Sequence, residues 1–129
     1  MIDLFEIARD RVGEWYPRTF LKRFDVQTGK EGVCIRPVQG TTVKQYFDGS
    51  REITQPYQVI VRDRSELKAM QACQDIAERL MRERLESENG SYTFLAPMVY
   101  AEPQELQLDE KNLYAWVVTM AAHIQTNGE

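Results

Sequence analysis

Histidine occurs once in this chain, at His123, and cysteine only twice, at Cys34 and Cys73. There is no CxxC pair, and no second ligand stands near His123 in the sequence. Neither a zinc site nor a redox dithiol is expected, and both cysteines read as buried free thiols. A nucleophile built on cysteine or histidine has nothing to pair with. The seven glycines are scattered, and none opens a helix after a strand, so a phosphate-cradling loop is missing. No G-x-S-x-G elbow occurs either. Glu102, Glu105, Asp109 and Glu110 form an acidic run, which reads as a solvated loop rather than a cation site. No catalytic residue, cofactor-binding residue or metal ligand is assigned, and an enzyme is not expected.

Long apolar runs are also lacking. Nothing approaches the roughly 20 residues that a membrane helix requires, and Asp3 and Glu6 interrupt the first turn where a signal peptide would be apolar. No membrane partner and an intracellular setting are the expectations. A basic excess is absent too: 16 Lys and Arg against 20 Asp and Glu give a net charge of −4. Acids and bases interleave, as in MRERLESE, so direct DNA binding is not expected as the main task. Repeats, low-complexity tracts and linkers are missing. With 43% hydrophobic and 28% charged residues, 1–129 reads as a single α+β domain able to bury a core without staples.

The most informative stretch is Thr41 to Arg62, TTVKQYFDGSREITQPYQVIVR. Asp48-Gly49 suits a two-residue type I′ turn, whose central residues both need positive φ. That turn sets Phe47 opposite Ser50, Tyr46 opposite Arg51, Gln45 opposite Glu52 and Lys44 opposite Ile53. Lys44, Tyr46 and Arg51 then share one face near the tip. On the second strand Tyr57, Val59 and Val61 line a face apolar enough to be core, whereas the outer half is polar. The pattern predicts a hairpin with a buried root and an outer half projecting as an arm. Pro56 has no N–H to give, which marks an edge or a break. Such an arm is either an ordinary solvated hairpin or a protein-contact element. For the second reading the candidate residues are Lys44, Tyr46, Phe47, Asp48, Gly49, Arg51 and Ile53.

Around this hairpin the chain alternates helices and strands. Ile2 to Trp15 predicts an amphipathic helix with Phe5, Ala8, Val12 and Trp15 inward, stopped by Pro17. Thr19 to Phe24 and Val33 to Arg36 predict short strands, with a loop over Gln27 to Gly32. After the hairpin, Asp63 and Glu66 have the spacing of a capping box. The following helix buries Leu67, Met70, Cys73, Ala77, Leu80 and Met81, with Ile76 beside them, and ends before Asn89-Gly90. Tyr92, Phe94 and Leu95 predict a strand that stops at Pro97. Val99 and Tyr100 suggest another, and Glu105 to Asp109 alternates before a turn at Asp109 to Asn112. Leu113 to Gln125 fits a strand, because Tyr, Trp, Val and Thr cluster there; its apolar spacing also fits a helix. The expected fold is α+β, a mostly antiparallel sheet with two helices packed on one face and a projecting β-hairpin.

From Val43 to Leu80 the sequence resembles the minor capsid, or tail terminator, proteins of long-tailed bacteriophages and prophages. The matching features are Lys44, Tyr46 and Asp48-Gly49-Ser50, then the Tyr57 to Val61 strand and the Leu67 to Leu80 helix. Gln55-Pro56 interrupts a strand that is often smoother in that family. The resemblance implies structural work in the virion, at the head–tail interface, by a protein made in the host bacterial cytoplasm. Its partners would be itself, as a hexameric ring, the tail tube protein and the head–tail connector protein, with DNA only as passing cargo. No catalytic residue is implied. A head–tail joining adaptor and a small α+β ligand-binding domain stand as the other readings.

Overall fold

The computed structural model describes residues 2–21, 31–106 and 113–126. Two helices, α1 (Leu4–Trp15) and α2 (Glu66–Leu80), accompany six strands: β1 (Thr19–Leu21), β2 (Gly32–Pro37), β3 (Thr41–Gln45), β4 (Arg51–Asp63), β5 (Tyr92–Leu106) and β6 (Tyr114–Thr126). One sheet runs β1-β2-β4-β6-β5, and β3 pairs with β4. Every pairing is antiparallel except β1 with β2. The fold is α+β as expected, and Tyr114–Thr126 is a strand. Its β-branched and aromatic residues fit a pleated surface better than a helix, and it pairs with β4 from Arg51↔Thr126 to Asp63↔Tyr114.

Both helices pack on one face of the sheet. That face carries Val33 and Ile35 of β2, Tyr57, Val59 and Val61 of β4, and Val118, Met120, Ala122 and Ile124 of β6. α1 adds Leu4, Ile7, Ala8 and Val12, with Phe5 and Trp15 only partly covered. It ends at Tyr16, whose extended backbone (ψ 96°) is what a residue before proline adopts. Cys34, Ile60 and Val117 form a smaller cluster on the other face. Cys34 and Cys73 are therefore buried free thiols on opposite sides of the sheet. Burial pushes the Cys34 thiol up to about 11, against a smaller opposing pull from Arg36 and Arg62, and pushes Cys73 up to about 12. Both thiols should label slowly in the native protein and quickly in denaturant; rapid native labelling of Cys73 would contradict this core.

α2 departs from the sequence expectation at its start and its phase. The N-cap is Ser65, whose hydroxyl accepts the Lys68 N–H at 3.3 Å, and Asp63 instead accepts the Ser65 N–H at 2.8 Å. Serine is as good a cap as aspartate, and here it stands one residue before the helical backbone begins. The buried stripe is Ala69, Cys73, Ile76, Ala77 and Leu80. Leu67 and Met81 are exposed, and Met70 is half-buried. Leu67 lies nine residues before Ile76, about 2.5 turns, and so points the opposite way. The helix stops at Leu80, well short of Asn89-Gly90, which makes the turn into β5 with Gly90 at φ 74°.

The segment between α2 and β5 is pinned rather than helical. Leu85 is buried, and its carbonyl accepts the Tyr92 hydroxyl. Asp3 accepts the Ser87 hydroxyl at 2.8 Å and the N–H groups of Glu88 and Asn89 at 2.9 and 3.1 Å. Desolvation alone would raise the Asp3 carboxyl, but the hydrogen bonds from Ser87, Asn89 and Glu88 outweigh it and hold it below its ordinary 3.8. A depressed folded value means stability that is fully present above pH 3.8 and lost as pH falls through the lower folded value. Asp3→Asn should therefore be less stable than the parent at neutral pH. The gap between their denaturant midpoints should narrow as pH drops below that window.

Where three short strands were expected after Asn89-Gly90, β5 is one long strand, Tyr92–Leu106, with register shifts at Phe94/Ala96, Val99/Ala101 and Ala101/Gln104. Pro97 and Pro103 sit inside it without ending it, because it is the outermost strand and a proline need not donate on its open side. The readings at Leu108 and at Asp109 to Asn112 lie outside the described residues, as do Lys22 to Phe24 of the first expected strand.

Candidate interaction surface

The hairpin forms where the sequence places it, with a different turn. The Tyr46 N–H donates to the Ser50 carbonyl at 2.9 Å, and the Gly49 N–H donates to the Tyr46 carbonyl at 3.1 Å. The loop is thus three residues, Phe47-Asp48-Gly49, with Gly49 in the left-handed region at φ 88°. This is a turn closed by a glycine bulge, the other common solution for a short hairpin. Asp48 explains the choice. Its Oδ1 accepts the Ser50 N–H at 3.0 Å and the Ser50 hydroxyl at 2.6 Å, and these bonds lower its carboxyl below the ordinary value. A non-glycine residue in the left-handed region costs about 1–2 kcal/mol. Gly49→Val should lower the denaturant midpoint by about that much, and Gly49→Asn by clearly less.

The extra loop residue shifts the register by one. Gln45 pairs with Arg51 and Lys44 with Glu52, and a bulge at Val43 then sets Thr42 against Ile53. The expected Tyr46–Arg51 pair does not form. Arg51 instead alternates onto the helix-bearing side with Ile53, and Lys44 with Glu52 faces away from it. The cation beside the Tyr46 ring is Lys44, at 5.1 Å from its centroid. Ile53 packs against the main core and is part of the sheet rather than of a contact tip.

The arm is also shorter than expected. β4 pairs with β6 along its whole length to Arg51↔Thr126, so among the described residues only the turn extends past the ladder. β3 forms the free edge, and all five of its residues are exposed. Opposite Pro56 that edge is broken: β2 pairs up to Pro37↔Tyr57, and β3 resumes at Thr41↔Thr54. Gln55, nearly buried, fills the break by donating to the Val38 carbonyl. Gly40 gives it room, since a Cβ there would sit 2.6 Å from Gln55 Oε1.

Of the seven residues singled out in the sequence, the structure brings Lys44 and Tyr46 into contact and leaves Phe47 fully exposed beside them. Asp48 and Gly49 build the turn, Arg51 faces the other way, and Ile53 is sheet. The sequence reading missed Val43, an apolar side chain left exposed by its bulge, and the exposed Met98 and Tyr100 of β5. Nothing in alternation alone distinguishes a bulged valine from a paired one. Among the described residues, no three His, Cys, Asp or Glu side chains gather as a metal site. The apolar cavity between the end of α1, β2 and β4 holds about 220 Å³, below the roughly 300 Å³ at which ligand pockets begin, and the larger groove between α2 and β5, about 510 Å³, is lined as much by Gln74, Glu78 and Glu102 as by apolar side chains.

Residues 6–126 match the family described as bacteriophage tail terminator protein. The chain belongs to that family. As a member it is a structural protein of a phage tail, and the virion is where it acts. The fold is also that of a chain from the virion of a native gene transfer agent particle, at a TM-score of 0.64. That likeness covers 95% of this chain and 91% of the other at 8% identity, so it speaks for the fold alone. No curated protein matches the sequence.

Proposed function

We propose that this tail terminator closes the finished tail tube as a hexameric ring, stops further addition of tube subunits and presents a surface to the head–tail connector. The family match across residues 6–126 carries this reading. The exposed β3 edge with Phe47 at its tip supports it, because an unprotected edge with an exposed aromatic is a ready surface for another chain. The mechanism is competition for the growing end: a ring that binds the last tube layer better than another tube subunit does removes the template for addition. Subunits of such a ring meet through two different patches, head to tail. The work is structural and needs no catalytic residue, and DNA passes through as cargo.

Labelled protein on intact particles tests the placement. Under electron microscopy the label should mark one site per tail, at the end nearest the head. Label spread along the tube, or confined to the far end, would overturn the proposal.

A further inference from the structure

Two surfaces with exposed apolar side chains lie at opposite edges of the sheet. One is the β3 edge with Val43 and Phe47. The other is a groove of about 510 Å³ between α2 and β5, lined by Ala77, Met81, Val99 and Pro103 together with the polar Gln74, Glu78 and Glu102, with Met81 exposed in it. We propose that this groove receives the Phe47 turn of a second copy of the chain, with Lys44 of the incoming turn meeting Glu78 and Glu102. The proposal rests on the ring reading above and names its subunit contact.

The sheet order separates the two patches. β3 lies on one side of the β4–β6 pair and β5 on the other. Each contact uses one patch from each copy, and repetition of that contact closes a ring. Charge favours the same pairing. β5 has two glutamates and no basic residue along its length, whereas the tip offers the Lys44 ammonium, with Glu52 across the ladder from it and the Asp48 carboxylate turned back onto Ser50. A symmetric contact of two Phe47 turns would instead bring two Lys44 side chains together. Arg79, close to the groove, does not cancel the rim charge, because it is paired with Asp75 and stacked over Trp15.

The form of the contact follows from both edges. β5 is a poor template for strand addition, since three register shifts and two prolines interrupt its backbone. A side chain inserted beside it is the alternative. Phenylalanine suits this role, burying about 150–250 Å² when enclosed. The turn is also held in shape by the Asp48–Ser50 bonds, so little ordering is required on docking.

The test uses the full chain carrying single surface cysteines, the native thiols being buried. A mixture of Phe47→Cys and Met81→Cys proteins, oxidised at high concentration, should form mixed covalent dimers about 30-fold faster than Phe47→Cys with Leu67→Cys, the ratio expected for a docked anchor over chance collision. Leu67 lies at the other end of the same helix, about 21 Å along its axis from Met81, and serves as the control. Lys44→Glu in the Phe47→Cys protein should slow the reaction, and Glu102→Lys in the Met81→Cys protein should restore it. Equal rates for the Met81 and Leu67 mixtures, or no restoration by the charge swap, would overturn the proposal. Light scattering on the parent protein, alone and with tube protein, separates this from the ring itself. A closed ring without Phe47–Met81 linkage removes the groove and leaves termination standing; linkage in open chains keeps the groove and removes the ring.

Discussion

Leu80→Asp should unfold this protein, whereas Leu67→Asp on the same helix should leave it folded. Leu80 is 1% exposed and Leu67 is 57% exposed. At Leu80 the new carboxylate would enter the layer between α2 and the sheet with no partner, which costs about 3–5 kcal/mol. That is a large share of the roughly 5–15 kcal/mol by which a domain is stable. At Leu67 the carboxylate would stand in water in the first turn of α2, where an acid is favoured by the helix dipole, and the change should stay within about 0.5 kcal/mol. Circular dichroism melts of the two variants decide this. Similar melting temperatures would mean that the helix is rotated from the phase described.

The second large effect concerns binding. Tyr46→Ala with Phe47→Ala should leave the fold intact and abolish tail termination. Phe47 is fully exposed and Tyr46 only half-covered, with the Lys44 contact worth roughly 0.5–1 kcal/mol at an exposed site. The melting temperature should move by only a few degrees. At an interface, aromatic side chains concentrate binding energy, and truncating one typically costs about 2 kcal/mol or more. Binding should therefore suffer far more than folding. Asp48→Ala should act the same way at lower cost, by releasing the two bonds to Ser50 that fix the turn. A doubly substituted protein that is folded and still terminates tails would remove the turn as a functional element.

How much of this was legible depends on which signals are local. Helix existence and the hairpin at Asp48-Gly49 follow from periodicity and turn chemistry, and the strand at Tyr114–Thr126 from its β-branched and aromatic residues, all of which act over a few residues. The hairpin register did not, because Asp-Gly serves a two-residue and a three-residue loop equally well. Only the Ser50 hydroxyl, bonding back to Asp48, tips the balance. The phase of α2 was blurred by Leu67 and Met81, apolar residues that the helix turns outward. β5 was cut into pieces because proline ends a central strand and not an outer one, and its position in the sheet is a tertiary fact. The Tyr57 to Val61 strand read correctly as core for the opposite reason: it is paired on both sides, with β2 and with β6, and its pattern is unbroken there. Of the candidate site, the tip could be read, but the groove between α2 and β5 could not. It joins residues about 25 positions apart that only packing brings together.

Tail length is the most direct measurement of the central claim. Particles produced without this protein, and purified tube protein polymerised without it, should give tubes of broad and excessive length. Adding the wild-type protein should stop growth and leave one protein-capped end per tube, while the Tyr46→Ala, Phe47→Ala protein should not. Length distributions measured by electron microscopy that are unchanged by the presence of the wild-type protein would contradict termination as its function.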